Sequence, residues 1–308
     1  MMGHLLILLV LLSPAFVQAA FEPPGSQVVV DCSFNSSTCT GQVFQGTFQD
    51  WGKVLYNDPA PIIADSSAPV SPPNVLDSAL YYPNTSGGAW LAWYNSTQTR
   101  DIYVRARAKI NPGYTCSVIS STKFMFLRNY ENAGGTPITN GVFNFNGCGE
   151  IRTIVWGHNT GGLNNSHICG GDAFGAICPP NVGPGTFQRG QWFDFEACTS
   201  ASTSTTAQNG VVWWAVNGVM AGKYTTVNYG AGSTNEWGFN QTWDGDAGLN
   251  GKGFTADAHV FLDHVRITVH PGGGCLAIAN GIPGGGGGTT PPPPPPLPPN
   301  IPTNLRVQ

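Results

Sequence analysis

The sequence predicts an all-β fold, two antiparallel sheets packed face to face and stapled by disulfides. Three observations carry that expectation. Short runs of alternating residues recur along the chain, rich in aromatic and β-branched side chains and bounded by Gly, Asn and Pro. No stretch of any length carries the 3.6-residue periodicity of an amphipathic helix. The composition is that of an extracellular β protein: 41 Gly, 25 Pro and 8 Cys among 308 residues, of which only 10% are charged.

The first clear strand is Asp101–Ile110 (DIYVRARAKI), where Ile102, Val104, Ala106 and Ala108 alternate with polar or long side chains. Residues 123–128 (KFMFLR), 151–156 (IRTIVW), 192–198 (WFDFEAC), 211–216 (VVWWAV) and 260–269 (VFLDHVRITV) behave likewise. Asn217-Gly218 follows one of these runs and precedes Val219-Met220-Ala221, a strong two-residue hairpin signal. Residues 20–280 supply enough chain for one large sandwich.

The ends are of a different kind. Residues 5–12 form an uninterrupted apolar run, and Val17 and Ala19 fit the small-residue pattern before a signal-peptidase cut. Residues 1–19 therefore read as a leader cleaved after Ala19, which makes the mature protein secreted. The run is too short to span a bilayer comfortably, and no later segment reads as a membrane helix. At the other end, five glycines (284–288) and six prolines (291–296) make residues 281–299 a linker, flexible and then stiff. Residues 300–308 follow it. Their Ile-Pro-Thr-Asn-Leu-Arg-Val resembles the opening strand of a fibronectin type III domain, which implies further modules in the same chain.

Eight cysteines in an exported chain read as disulfides. Cys32 with Cys39 and Cys169 with Cys178 are close enough in sequence for small-loop bridges. Cys116, Cys148, Cys198 and Cys275 can pair in three ways, and spacing does not choose among them. No CxxC occurs, and no Cys–His cluster has zinc spacing. A net charge of -4 with few basic residues excludes nucleic acid as a partner.

Residues 190–268 have a recognisable cadence. Gly190-Gln191-Trp192 leads into a strand with Glu196, Asn209-Gly210 opens VVWWAVNGVMAGKY, and FLDHVRIT closes the series. With DIYVRARAKI and KFMFLRN upstream, this resembles the concanavalin-like jelly roll of polysaccharide lyases of the heparin-, alginate- and glucuronan-lyase kind. The resemblance covers roughly residues 40–270 and is specific for fold rather than activity. It implies a concave sheet that cradles a sugar chain. It also implies β-elimination at uronic acids, run by a His or Tyr base, a Tyr or His acid, and an Arg, Gln or Asn that neutralises the carboxylate. The Arg-x-Glu-x-Arg and Gln-Ile-His strands of alginate lyases are absent from this sequence.

Alternation puts Phe124, Phe126 and Arg128 on one face, and Arg152, Ile154, Trp156 and His158 on one face. On the lyase reading Arg128 or Arg152 neutralises the uronate, His158 is the base and Tyr224 the acid. The bland alternatives are a solvated outer face for the cations and a core or rim position for Tyr224. Trp156, Trp213, Trp237, Asn240, Gln241 and Trp243 are candidate sugar contacts. Indoles pack on apolar sugar faces, and the loop NEWGFNQTWDGDAG is rich in Trp, Asn and Gln. Of the adjacent Trp213 and Trp214, one faces the core and the other is free to meet a sugar. Asp194 and Glu196, two apart on one strand face, could serve a glycosidase but are read as structural or rim groups. Asp244, Asp246 and Asn250 alternate with glycines as calcium ligands do, with Thr255 where an EF-hand places its Glu; an ordinary Asp/Gly turn is the rival reading. Asn35, Asn84, Asn95, Asn164 and Asn240 open N-x-[ST] triplets. Three function classes remain: a secreted polysaccharide lyase, a non-catalytic lectin-like module, and a structural surface protein.

Overall fold

The computed structural model describes residues 21–35, 62–70, 72–80, 90–94, 99–114, 122–130, 137–146, 148–157, 171–172, 175–204, 206–229, 233–240 and 257–281. They form two antiparallel sheets packed as a sandwich. The strands are β1 (Gln27–Cys32), β2 (Ile62–Ala64), β3 (Asn74–Leu80), β4 (Trp90–Tyr94), β5 (Asp101–Ile110), β6 (Thr122–Tyr130), β7 (Pro137–Asn146) and β8 (Glu150–Gly157). They continue as β9 (Gly171–Asp172), β10 (Gly175–Cys178), β11 (Phe193–Ser200), β12 (Gly210–Val216), β13 (Val219–Val227), β14 (Ser233–Asn240) and β15 (Ala258–His270).

One sheet runs β13-β12-β11-β5-β15-β3-β2, with β1 also paired to β15; the other runs β4-β14-β6-β7-β8-β10-β9. The alternation read from sequence decides what lies between them. Ile102, Val104, Ala106, Ala108 and Ile110 of β5 enter the core, as do Phe193, Phe195 and Ala197 of β11 and Val212, Trp214 and Val216 of β12. From the second sheet come Phe124, Met125, Leu127, Phe143, Phe145, Trp237 and Phe239. Rings meet edge-on across the gap, Phe143 on Phe195 at 5.2 Å and Phe124 on Phe195 at 5.3 Å. Asn217 and Gly218 both take positive φ, 52° and 73°, which makes β12–β13 the tight hairpin the sequence predicts.

Two hydrogen bonds tie the sheets at defined points. Trp214 Nε1 donates to the Ile151 carbonyl at 3.1 Å, and Tyr229 Oη donates to the Leu127 carbonyl at 2.5 Å. Each acceptor immediately precedes an arginine of interest, Arg152 and Arg128. The close approach needs glycines. A Cβ on Gly141 would stand 2.6 Å from Tyr229 Oη, and one on Gly222 would stand 2.0 Å from Cη2 of Trp214.

The outer face of the eight-stranded sheet carries a second core. Tyr103, Cys198, Val211 and Trp213 are covered there by the helix α1 (Gly274–Ala279) and by Phe21. This short helix lacks a sequence signal because it has only six residues and opens on Gly274. Cys198–Cys275 pins it to β11 with Cα atoms 5.7 Å apart, one of the pairings that spacing left open. Cys32, Cys148 and Cys178 are also disulfide-bonded, whereas Cys39, Cys116 and Cys169 lie outside the described residues. Among the described residues no helix is long and apolar enough to cross a membrane.

Candidate functional site

The face of the seven-stranded sheet that turns away from the core is built in cross-strand rows. Trp237, Leu127, Gly141 and Val155 stand opposite one another in β14, β6, β7 and β8 and form a core-side row. One residue out of phase is the row Tyr94–Glu236–Arg128–Asn140–Trp156, spanning five strands. Further along lies Ala92–Gly238–Phe126–Val142–Ile154. Beyond it comes Lys123–Asn144–Arg152. Neighbouring strands are spaced about 4.8 Å, so each row is a continuous line of side-chain positions across the sheet.

Part of this face is shielded from solvent: Phe126 is outside the inter-sheet core yet only 3% exposed, and Asn144, flanked in β7 by the core residues Phe143 and Phe145, is 4% exposed. Arg152 is 38% exposed and its Nε donates to Glu150 two residues back on the same face. Such a half-exposed pair adds little to stability. A cation, a buried amide and a second cation in one line give a strip suited to an anionic, hydroxyl-rich chain.

Register puts Arg128 and Trp156 in one row with Asn140 between them, leaves Arg152 in another row four residues along β8, and puts Asn240 opposite Trp90 at the end of β14. His158, Gln241, Trp243, Asp244, Asp246 and Asn250 lie outside the described residues. Among the described residues no group of three or more His, Cys, Asp or Glu could hold a metal ion. Lys123, Asn140, Asn144 and Glu236 are members of the rows that sequence reading missed. The signal for Glu236 was hidden because residues 235–240, read as part of a loop, belong to strand β14.

Three candidates need correction. Tyr224 is on the other sheet, in the core, stacked on Trp214 at 6.2 Å, with its hydroxyl donating to the Pro179 carbonyl. Burial pushes its phenol up, away from acid duty at this face. Trp213 is 0% exposed, because α1 and Phe21 cover the outer face that alternation alone would leave to solvent; its Nε1 donates to the Cys275 carbonyl at 3.0 Å. Trp237 is likewise fully buried, its register inward between the sheets. A ring with no exposed face cannot stack on a sugar.

The opposite sheet's outer face is charged but largely self-compensated. Arg105 and Arg107 both pair with Asp194, and Arg266 bridges Glu22 and Asp31. Glu196 is 2% exposed, bonded by Tyr103 Oη at 2.7 Å and the Phe21 amide at 3.0 Å, which rules out a glycosidase carboxylate pair with Asp194. Desolvation raises the Glu196 carboxyl, only partly opposed by the Tyr103 bond, and desolvation also holds the Tyr103 phenol well above its ordinary range.

Comparison with solved structures fits this architecture. The chain is similar to an endo-β-1,4-glucuronan lyase from the fungus Trichoderma reesei at 13% identity and a TM-score of 0.50, covering 73% of this chain and 93% of that one. It is also similar to a marine PL-14 alginate lyase from Aplysia kurodai, at 12% identity and a TM-score of 0.52, covering 79% of this chain and all of that one. The fold is the lyase-type jelly roll. At these identities the likeness shows the fold and no more. No protein-family model and no curated protein matches the chain.

Proposed function

We propose that the chain is an exported carbohydrate-active domain that cleaves uronic-acid-containing polysaccharide by β-elimination. The observation that supports this is the outer sheet face that carries the Lys123–Asn144–Arg152 row two rows along from Arg128–Asn140–Trp156, on a fold that two polysaccharide lyases share. The chemistry needs a cation against the uronate carboxylate, since the adjacent C–H is weakly acidic until that charge is matched. Arg152 or Arg128 fills this role. A base, assigned to His158 from the sequence, takes the C5 proton; the electron pair forms the C4–C5 double bond, and the 4-linked oxygen leaves, taking its proton from solvent water. Tyr224 is not the acid. The leader at 1–19 and the spacer at 281–299 fit an extracellular domain joined to a further module, with calcium at Asp244, Asp246 and Asn250 as its candidate ion.

The test is incubation of the protein with glucuronan, alginate and other uronate polymers while following the ultraviolet absorbance of the unsaturated product. Activity is expected on at least one polymer, and Arg152→Ala should lower kcat/KM by about 10²-fold. Absence of product on every polymer overturns the lyase reading, and glycan binding without turnover would replace it with the lectin-like one.

A further inference from the structure

All three histidines among the described residues lie on β15, and each has a carboxylate beside it. β15 is the joint of the eight-stranded sheet. Its first half pairs with β3 and its second half with β1, while β5 runs along its other side. Among the described residues β1 pairs with β15 and no other strand, and β3 leads only to the three-residue edge strand β2. The hold of β15 on β3 and β1 therefore decides whether that margin of the sheet stays closed.

His259 Nδ1 lies 2.9 and 3.1 Å from the two carboxylate oxygens of Asp77 on β3. Asp257, just before β15, acts on it from the same side in charge. Lys109 of β5 stands over the Phe261 ring that stacks on His259, and is itself paired with Asp65. His264 stands where β15 passes from β3 to β1, at a register shift after Leu262. Its Nε2 is 2.6 Å from Asp31 Oδ1 on β1. Arg266 of β15 holds the other Asp31 oxygen at 2.7 Å, and Glu22 in turn holds Arg266. Arg107 of β5 is opposite His264 but engages Asp194, and the neighbouring Asp263 accepts the Val70 N–H at 2.6 Å. His270 is of another kind. Its Nδ1 accepts the Gly272 N–H at 3.1 Å and is 3.9 Å from Asp101, so a proton there would cost a backbone hydrogen bond.

We infer that β15 is a proton-dependent seam: protonated His259 and His264 tie β3 and β1 to the central strand, which tunes the sandwich to mildly acidic surroundings. Each of the two joins its own strand to a different neighbour, so each proton taken up strengthens a contact between strands. The Asp77 bond raises the His259 imidazole above its ordinary 6.5, more than desolvation lowers it. A raised folded value means that this contribution is complete below 6.5 and is lost as pH rises through the folded value. The Asp31 carboxyl is shifted the other way, held below its ordinary 3.8 chiefly by the bond with His264. Its contribution is present above 3.8 and is lost as pH falls through the folded value. The two signs enclose a window on the acid side of neutrality.

The test is thermal melting of the protein at about pH 5 and about pH 8, the two ends of the range over which histidine changes charge. Wild type should melt roughly 4–8 °C lower at the upper end. His259→Gln and His264→Gln should each remove part of that difference, and the double variant should remove it. His270→Gln should leave it in place. Equal melting of wild type at both ends overturns the inference, as does a difference that survives the double variant or that His270→Gln alone removes. If the double variant fails to fold, hydrogen exchange in the wild type decides. Once corrected for the intrinsic exchange rate, protection of the β1 and β3 amides should fall with rising pH relative to that of β11 and β12. A change spread evenly over the four strands, or none, overturns it.

Discussion

Gly222→Ala should be among the most damaging single-methyl changes in this protein. A Cβ at that position would lie 2.0, 2.3 and 2.4 Å from Cη2, Cζ3 and Cζ2 of Trp214. Carbon atoms are comfortable at about 3.5–4.0 Å, so the indole would have to retreat by roughly 1.5 Å. It has nowhere to go. Trp214 is 0% exposed, with Phe143 at 6.2 Å and Tyr224 stacked at 6.2 Å. Retreat also breaks the Nε1 bond to the Ile151 carbonyl. Overpacking costs about 1–3 kcal/mol, and an orphaned buried donor about 1–3 more. The sum, about 4 kcal/mol, corresponds to a melting temperature lower by roughly 8–16 °C. Ala is otherwise the better strand residue by about 0.5–1 kcal/mol, so the sign discriminates between clash and propensity. The measurement is urea or thermal unfolding, with the double mutant Gly222→Ala/Trp214→Leu as partner. Relief of the clash predicts that the double mutant loses at least about 1 kcal/mol less than the sum of the singles. A Gly222→Ala protein within 1 kcal/mol of wild type, or strict additivity, refutes the reasoning. Because the lost bond ends one residue before Arg152, any lyase activity should fall together with stability.

Other expectations follow from the same contacts. Gly141→Ala places a Cβ 2.6 Å from Tyr229 Oη and should cost about 2–4 kcal/mol by equilibrium unfolding. Tyr229→Phe, which only orphans the Leu127 carbonyl, should cost about 1–2 kcal/mol in the same assay. Replacing Cys198 and Cys275 by Ala opens a closure of 77 residues and should lower stability by about 2–4 kcal/mol in denaturant titrations. His259 Nδ1–H donates to the Asp77 carboxylate, and this bond raises the imidazole above its ordinary 6.5, against a lesser desolvation effect. Its contribution is thus complete below pH 6.5 and is lost as pH rises through the folded value; melting curves for His259→Gln should lack that decline, while wild type shows it.

Much of the sandwich was legible because strand alternation is a local property. The pattern in DIYVRARAKI needs no knowledge of what lies across the sheet, and Asn217-Gly218 specifies its own turn by tolerating positive φ at both positions. Alternation failed at one point in β6: it put Phe124 on a face with Phe126 and Arg128, but a register shift between Lys123 and Met125 sends Phe124 and Met125 both into the core and leaves Phe126 outside it. It could not place Lys123, Asn140, Asn144 and Glu236 in rows with them, because cross-strand register belongs to pairs of strands and not to either strand alone.

What the sequence by itself determined is the parity of regular strands such as β5, the tight hairpin and the all-β class; the register shift in β6 that sends both Phe124 and Met125 into the core was not legible in it. The tertiary structure decided which faces are covered. Trp213 and Trp214 have opposite parity, yet both are buried, because Phe21 and Cys275 close over the outer side from far along the chain. Tyr224 was drawn from the cleft to the core in the same way, by the sheet that β13 joins. The reason is physical: parity is fixed by the pleat of a single strand, whereas exposure depends on what packs above it. Here the packing partners lie far apart in the chain, as in the bond from Phe21 to Glu196, 175 residues away.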